Sequence, residues 1–316
     1  MNYNKMDFNK NNLFLIESIK NNNYNITKLL IKNNCNVDEP DDYGFTPLIH
    51  SVEQQNEDIT KLLIDSKCNI NKTDDYNETA LMEVSRNGNE NITKMLIENK
   101  CDIKMKNNNN RSALMIACEY GYLDIVKLLI NYNSNVNEID IDGLTPLIIS
   151  CKKDNESIVR LLISNKCDIN KHDIIGFHAL NYAIENGNEN IVKLLINSNC
   201  NINKKDNWER YPLIHAIRHN NENIVKILIN NGSYINDVDI DNLTPLMWAC
   251  FYGNMSIVKL LINTRICNLY NCDNYGSTAE IIANMHGFIN IYNFLNGLKS
   301  RRATERVVER IDTMSE

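Results

Sequence analysis

The sequence predicts an all-α repeat solenoid of about nine helix-turn-helix units joined by short β-hairpin loops, and three observations predict it. Cys35, Cys68, Cys101, Cys167 and Cys200 lie on one 33-residue ruler, with Ser134 and Ser233 at the marks between and beyond them. Pro47, Pro146, Pro212 and Pro245 share a second slot of the same ruler. Gly44, Gly143 and Gly176 occupy a third slot, and Gly88, Gly121, Gly187 and Gly253 a fourth. Recurrence at this period means an array of equivalent supersecondary units. It overrides the roughly two separate domains that the length alone would hold.

Each unit has a readable start and stop. After a short extension, 1–7, a degenerate unit begins near Phe8. The next, Asp41 to Thr73, opens with a turn in which Gly44 supplies the permissive backbone and Asp41 bonds back onto its own loop. Thr46 is a good N-cap and Pro47 a good first helical residue, so a short helix starts there. A second helix carries Ile59, Leu62, Leu63 and Ile64 as one apolar stripe. Neither helix is long enough to stand alone, so neighbours must stack to bury their flanks. Later units fall at 74–106, 107–139, 140–172, 173–205, 206–238, 239–272 and 273–297. The eighth of the nine carries a one-residue insertion around Thr264–Ile266. Acid-first pairs, Glu57–Lys61, Glu90–Lys94, Glu156–Arg160, Glu189–Lys193 and Glu222–Lys226, mark the solvated side of the second helices. His178 and Tyr211 stand where Thr caps other units, which predicts weaker first helices there. The charged segment 298–316 reads as a frayed extension, a helix over the last unit or a docking peptide.

Composition excludes several function classes. The net charge is −7, from 33 basic and 40 acidic residues, with no concentrated basic face for nucleic acid. Apolar runs are too short to span a membrane, and Leu13–Ile16 is too short for a signal peptide. The 56 asparagines point to A/T-rich coding DNA and not to a function. Ten cysteines without a single C-x-x-C, most of them on combs of fixed period, read as small packing residues in a reducing, intracellular compartment. His215 and His219 have the i, i+4 spacing of a zinc pair, but Ala216 stands in the place of a catalytic Glu and no third ligand is indicated. No phosphate loop or nucleophile elbow appears. The sequence therefore predicts no enzyme, cofactor or metal site.

The order of turn, Gly, Thr-Pro-Leu helix, Leu-Leu helix and Asn-bearing hairpin resembles the ankyrin repeat family. Asp140-Ile-Asp-Gly-Leu-Thr-Pro-Leu-Ile and Asp239-Ile-Asp-Asn-Leu-Thr-Pro-Leu-Met carry the resemblance best. The family's His after Pro-Leu is replaced by Ile49, Met82, Met115, Ile148, Asn181, Ile214 and Met247, so a tethering hydrogen bond is expected to give way to apolar packing. Gly232 alone keeps the glycine that closes the second helix; Lys67, Lys100 and Lys166 are poor residues for that left-handed position. The resemblance implies a monomeric scaffold that binds a protein through its concave face and hairpin tips. The candidate contacts are Ile141, Leu144, Ile174, Ile175, Phe177, Trp208, Arg210, Arg218, His219, Ile240, Leu243, Phe251 and Tyr252. The alternative is that neighbouring tips pack together, with Leu144, Phe177 and Leu243 sealing the stack. Asn170 resembles a site of asparaginyl hydroxylation. The Asn- and Ile-rich repeats are also similar to those of large DNA viruses, which implies, as the second functional reading, a ubiquitin-ligase adaptor or a host-directed effector in the host cytoplasm.

Overall fold

Thr46, Thr145 and Thr244 each accept a hydrogen bond from the backbone N–H three residues on, and a proline follows each as the first helical residue. The first helices thus begin where the cap chemistry places them. The computed structural model describes residues 8–314, with side chains for 13–301. The chain forms two compact units, Met1–Asp168 and Ile169–Glu316.

In the first unit the helices are α1 Phe8–Lys20, α2 Tyr24–Lys32, α3 Pro47–Glu53, α4 Glu57–Asp65, α5 Ala80–Asn87, α6 Glu90–Glu98, α7 Ala113–Tyr120, α8 Leu123–Asn131, α9 Pro146–Lys152 and α10 Glu156–Ser164. In the second they are α11 Ala179–Glu185, α12 Glu189–Asn197, α13 Pro212–Arg218, α14 Glu222–Asn230, α15 Pro245–Phe251, α16 Met255–Asn263, α17 Ala279–Met285 and α18 Ile289–Met314. Within each unit, first helices pack on first helices and second helices on second helices. The two layers differ in burial. Every residue of α9 from Pro146 to Cys151 is buried, whereas α10 buries Ile158, Val159 and Leu162 along one stripe. Full burial of each such Ile or Leu contributes about 1.5–3 kcal/mol, which stacking alone makes available.

The second helices show what the asparagine excess does. Asn23, Asn56, Asn89, Asn155, Asn188, Asn221 and Asn254 each cap one of them, the side chain accepting the N–H three residues on. Tyr122 breaks the series and makes no cap bond. Its ring lies against Gly88, where an added Cβ would sit 2.4 Å from it. Of the expected surface ion pairs, Glu90–Lys94, Glu156–Arg160 and Glu189–Lys193 form, while the Glu57 carboxylate instead accepts from the Asn91 amide.

One expectation of the fold is corrected. Among the described residues the hairpin loops hold no paired strands, only an isolated bridge between His172 and His178. Their backbone is held instead by the side chains that open each turn. The charged segment from 298 is helical, one of the readings its sequence allowed, and α18 continues unbroken through it to Met314. In the slot of the family's His, Ile49, Met82, Met115, Ile148, Ile214 and Met247 are buried in apolar packing, and a different hydrogen bond, one position later, holds the first helix.

Lys67, Lys100 and Lys166 take the left-handed conformation, with φ of 63°, 64° and 58°. A Cβ makes that conformation costly, and a glycine removes the cost while loosening the unfolded chain. Lys67→Gly, Lys100→Gly and Lys166→Gly should each stabilise the protein by about 0.5–1 kcal/mol, read as a higher urea midpoint. A lowered midpoint in all three would contradict the assigned strain.

Candidate protein-binding surface

Each turn opens with an acid or amide whose Oδ1 accepts two backbone N–H groups. Asp206 accepts from Trp208 and Arg210, both at 2.8 Å, and Asp239 from Asp241 and Leu243 at 3.1 and 2.9 Å. Asn107 does the same for Asn109 and Arg111, which shows that the turn needs only the oxygen. The tip then bends through a left-handed residue, Gly176 in one turn and Glu209 in another, with φ of 83° and 58°. This geometry pushes the residue two after the acid outwards.

The other oxygen of that acid holds the first helix. Nine residues on, His50, Tyr182, His215 and Trp248 donate to the Oδ2 of Asp41, Asp173, Asp206 and Asp239, at 2.9, 2.6, 2.8 and 2.9 Å. The donors share one helical slot and differ in type. In the turn of Asp140 that slot is Ile149, and Arg111 supplies the donor from the neighbouring turn. The carboxyl groups record this difference. Burial pushes Asp206 up, but hydrogen bonds from His215 and the turn backbone outweigh it and leave the group below the usual range. Asp74, with Glu83 in the donor slot, stays raised by burial and by nearby acids. Glu83 itself is also raised by burial, against the pull of Arg86.

The tips place the expected contact residues unevenly. Ile141, Ile174, Ile175, Trp208 and Ile240 are exposed, as are Phe251 and Tyr252 at the end of α15. His219 is exposed and Arg218 half-buried. Leu144 and Phe177 are buried, at 6% and 7% exposure, which corrects their assignment as contacts. Each lies four residues after the turn acid, bonded to its Oδ1 through its own N–H, with the side chain turned inwards. Leu243, in the same slot, is half-buried.

In Ile169–Glu316 the aromatic residues form a connected series. Phe177 meets the rings of Tyr182, Trp208 and His215 with centroids 5.7, 6.5 and 4.9 Å away. The Arg210 guanidinium lies over Trp208 at 5.6 Å and over Trp248 at 5.7 Å, and that of Arg218 over Trp248 at 5.5 Å. Trp248 also contacts Phe251 and stacks on Tyr252, at 5.6 and 5.9 Å. Trp248 and Tyr182 were not expected here, since mid-helix aromatics read as core. Their signal was the shared donor slot.

The arrangement offers little chemistry. His215 is bound to Asp206 and His219 is exposed, and no cluster of metal-binding side chains occurs among the described residues. Cys68, Cys101, Cys118, Cys167, Cys200 and Cys250 are unbridged thiols in buried or half-buried packing slots. Burial pushes Cys118 up to about 12, far from a reactive thiolate. No helix among the described residues is long and apolar enough to cross a membrane. Asn170 is exposed, and its Oδ1 accepts the Asn201 backbone N–H at 2.7 Å.

The family model described as Ankyrin repeats (3 copies) matches residues 2–74, 66–140, 133–206, 168–239 and 213–301. The chain belongs to the ankyrin repeat family. No curated protein matches it. Among solved structures it is similar to the human ASB11 ankyrin repeat domain, 23% identical, with a TM-score of 0.59 over 65% of this chain and 92% of that one. That likeness concerns the fold. Ankyrin repeats generally serve as protein–protein interaction scaffolds.

Proposed function

We propose that the protein is a non-enzymatic, monomeric scaffold that binds a protein partner through the turn tips and first helices of Ile169–Glu316. The observation that carries this reading is Trp208, a large ring at a turn tip that remains 41% exposed. Phe251 and Tyr252, 40% and 42% exposed, extend the apolar surface. Exposed apolar patches of this kind on soluble proteins mark interaction sites, and Trp, Tyr and Arg dominate binding hot spots. Ile174, Ile240 and His219 lie at its margin, and Ile141 supplies an exposed tip in the other unit.

Affinity purification of the full chain identifies the partner, with Trp208→Ala carried through in parallel. The variant should bind that partner about 2 kcal/mol more weakly with an unchanged urea midpoint. If it unfolds its neighbourhood and leaves the affinity of the folded fraction intact, the ring is core and the site is wrong. A ligase adaptor or a host-directed viral effector is a narrower form of the same reading. Co-recovery of cullin or Skp-type proteins would support the adaptor.

A further inference from the structure

Five of the chain's ten arginines fall into two groups. Arg86, Arg111 and Arg160 each face at least one carboxylate within ion-pair distance. Arg210 and Arg218 face none among the described residues, although both are half-buried and the chain carries a net charge of −7. The Nε of each is fully buried and has no acceptor. The acids that open the adjoining turns are committed elsewhere. Asp206 holds two backbone N–H groups and His215, and Asp239 holds two backbone N–H groups and Trp248. Glu209, next to Arg210 in sequence, pairs with Lys205 at 3.0 Å.

Both guanidiniums lie over the Trp248 ring, which orients them without neutralising them. A half-buried cation without a counter-charge is costly to hold, and that cost is relieved when a carboxylate arrives. Guanidinium groups match carboxylates by two parallel hydrogen bonds, a geometry that a diffuse positive surface does not offer. Trp208, Phe251 and Tyr252 are exposed on the same connected series.

We propose that Arg210 and Arg218 receive one Asp or Glu carboxylate of an acidic segment in the partner protein, while Trp208, Phe251 and Tyr252 receive an apolar side chain next to it. This rests on the scaffold reading and names the chemistry that the surface selects.

The chain's two tryptophans are Trp208 and Trp248, so fluorescence of the full chain, excited selectively at tryptophan and beyond the absorption of the 14 tyrosines, reports on this surface alone. The probes are capped nine-residue peptides with Glu-Leu or Glu-Phe at the centre of a Gly/Ser frame, and their Gln counterparts. The expected result is a saturable fluorescence change with the Glu peptides, weakening at least tenfold for Gln. Arg210→Gln and Arg218→Gln should each weaken binding at least tenfold without moving the urea midpoint. Arg218→Lys, which keeps the charge and loses the fork, should fall between. Equal responses to Glu and Gln peptides, or no response to any, overturn the acidic selection. The broader reading fails separately: it falls only if the purified partner is insensitive to Trp208→Ala.

Discussion

Asp206→Ala should lower the unfolding free energy by about 3 kcal/mol, whereas Asp206→Asn should cost only about 1 kcal/mol. The carboxylate is buried and satisfies three donors at once, the N–H groups of Trp208 and Arg210 and the ring of His215. Alanine strands all three, and each buried donor left alone costs about 1–3 kcal/mol, less where water reaches the exposed tip. Asparagine keeps the Oδ1 that shapes the turn, as Asn107 does naturally, and changes only the partner of His215. Urea unfolding at neutral pH checks both. Equal losses for the two variants would show that the turn does not depend on the shared oxygen. Because Asp206 is held below its ordinary value, its stabilisation is present above the unfolded carboxylate value and is lost as pH falls through the folded one. Asp74, held above it, acts in the opposite sense, disfavouring the folded state once ionised.

The second large effect belongs to His178. Burial lowers it to about 4, against the hydrogen bond to the Asn201 carbonyl that favours the charged form. Its Nε2 faces the Asn201 carbonyl at 3.2 Å, so the ring donates there, and the buried Nδ1 has no partner. A base whose folded value is depressed binds fewer protons folded than unfolded. Stability therefore falls as pH drops from the ordinary histidine value towards 4, by about 3 kcal/mol in all. His178→Thr removes that loss and restores a cap side chain. The stability of the variant relative to the parent should rise by about 3 kcal/mol between pH 7 and pH 4. A difference that does not change with pH would mean that folding leaves the ring's affinity for protons unchanged. His178 offers no side-chain cap, but the Asn181 Oδ1 accepts its backbone N–H at 3.2 Å.

The array was readable because Thr-Pro-Leu and the cysteine comb repeat as residue identities. What repeats only as a function was not readable. The donor to the turn acid is His50, Tyr182, His215 or Trp248, so no single letter marks the slot, and the apolar residues one position earlier, where the family carries histidine, gave no hint of it. The asparagine caps were hidden for the opposite reason, because a residue so abundant carries little positional signal. Burial of Leu144 and Phe177 could not be told from exposure of Ile141 and Ile174. All four are apolar residues of two equivalent turns, and the hydrogen bonds of Leu144 and Phe177 to the turn acid are what turn those two inwards. Within the candidate surface, Trp208, Phe251 and Tyr252 were legible as aromatics out of place. The role of Trp248 as the platform for two arginines required the fold.

Hydrogen exchange of the full-length protein with and without its purified partner tests the docking surface most directly. The account predicts slowed exchange in the turn and first helix at 206–219 and in the turn and α15 at 240–252. Slowed exchange confined to α12, α14 and α16, or to Met1–Asp168, would contradict it.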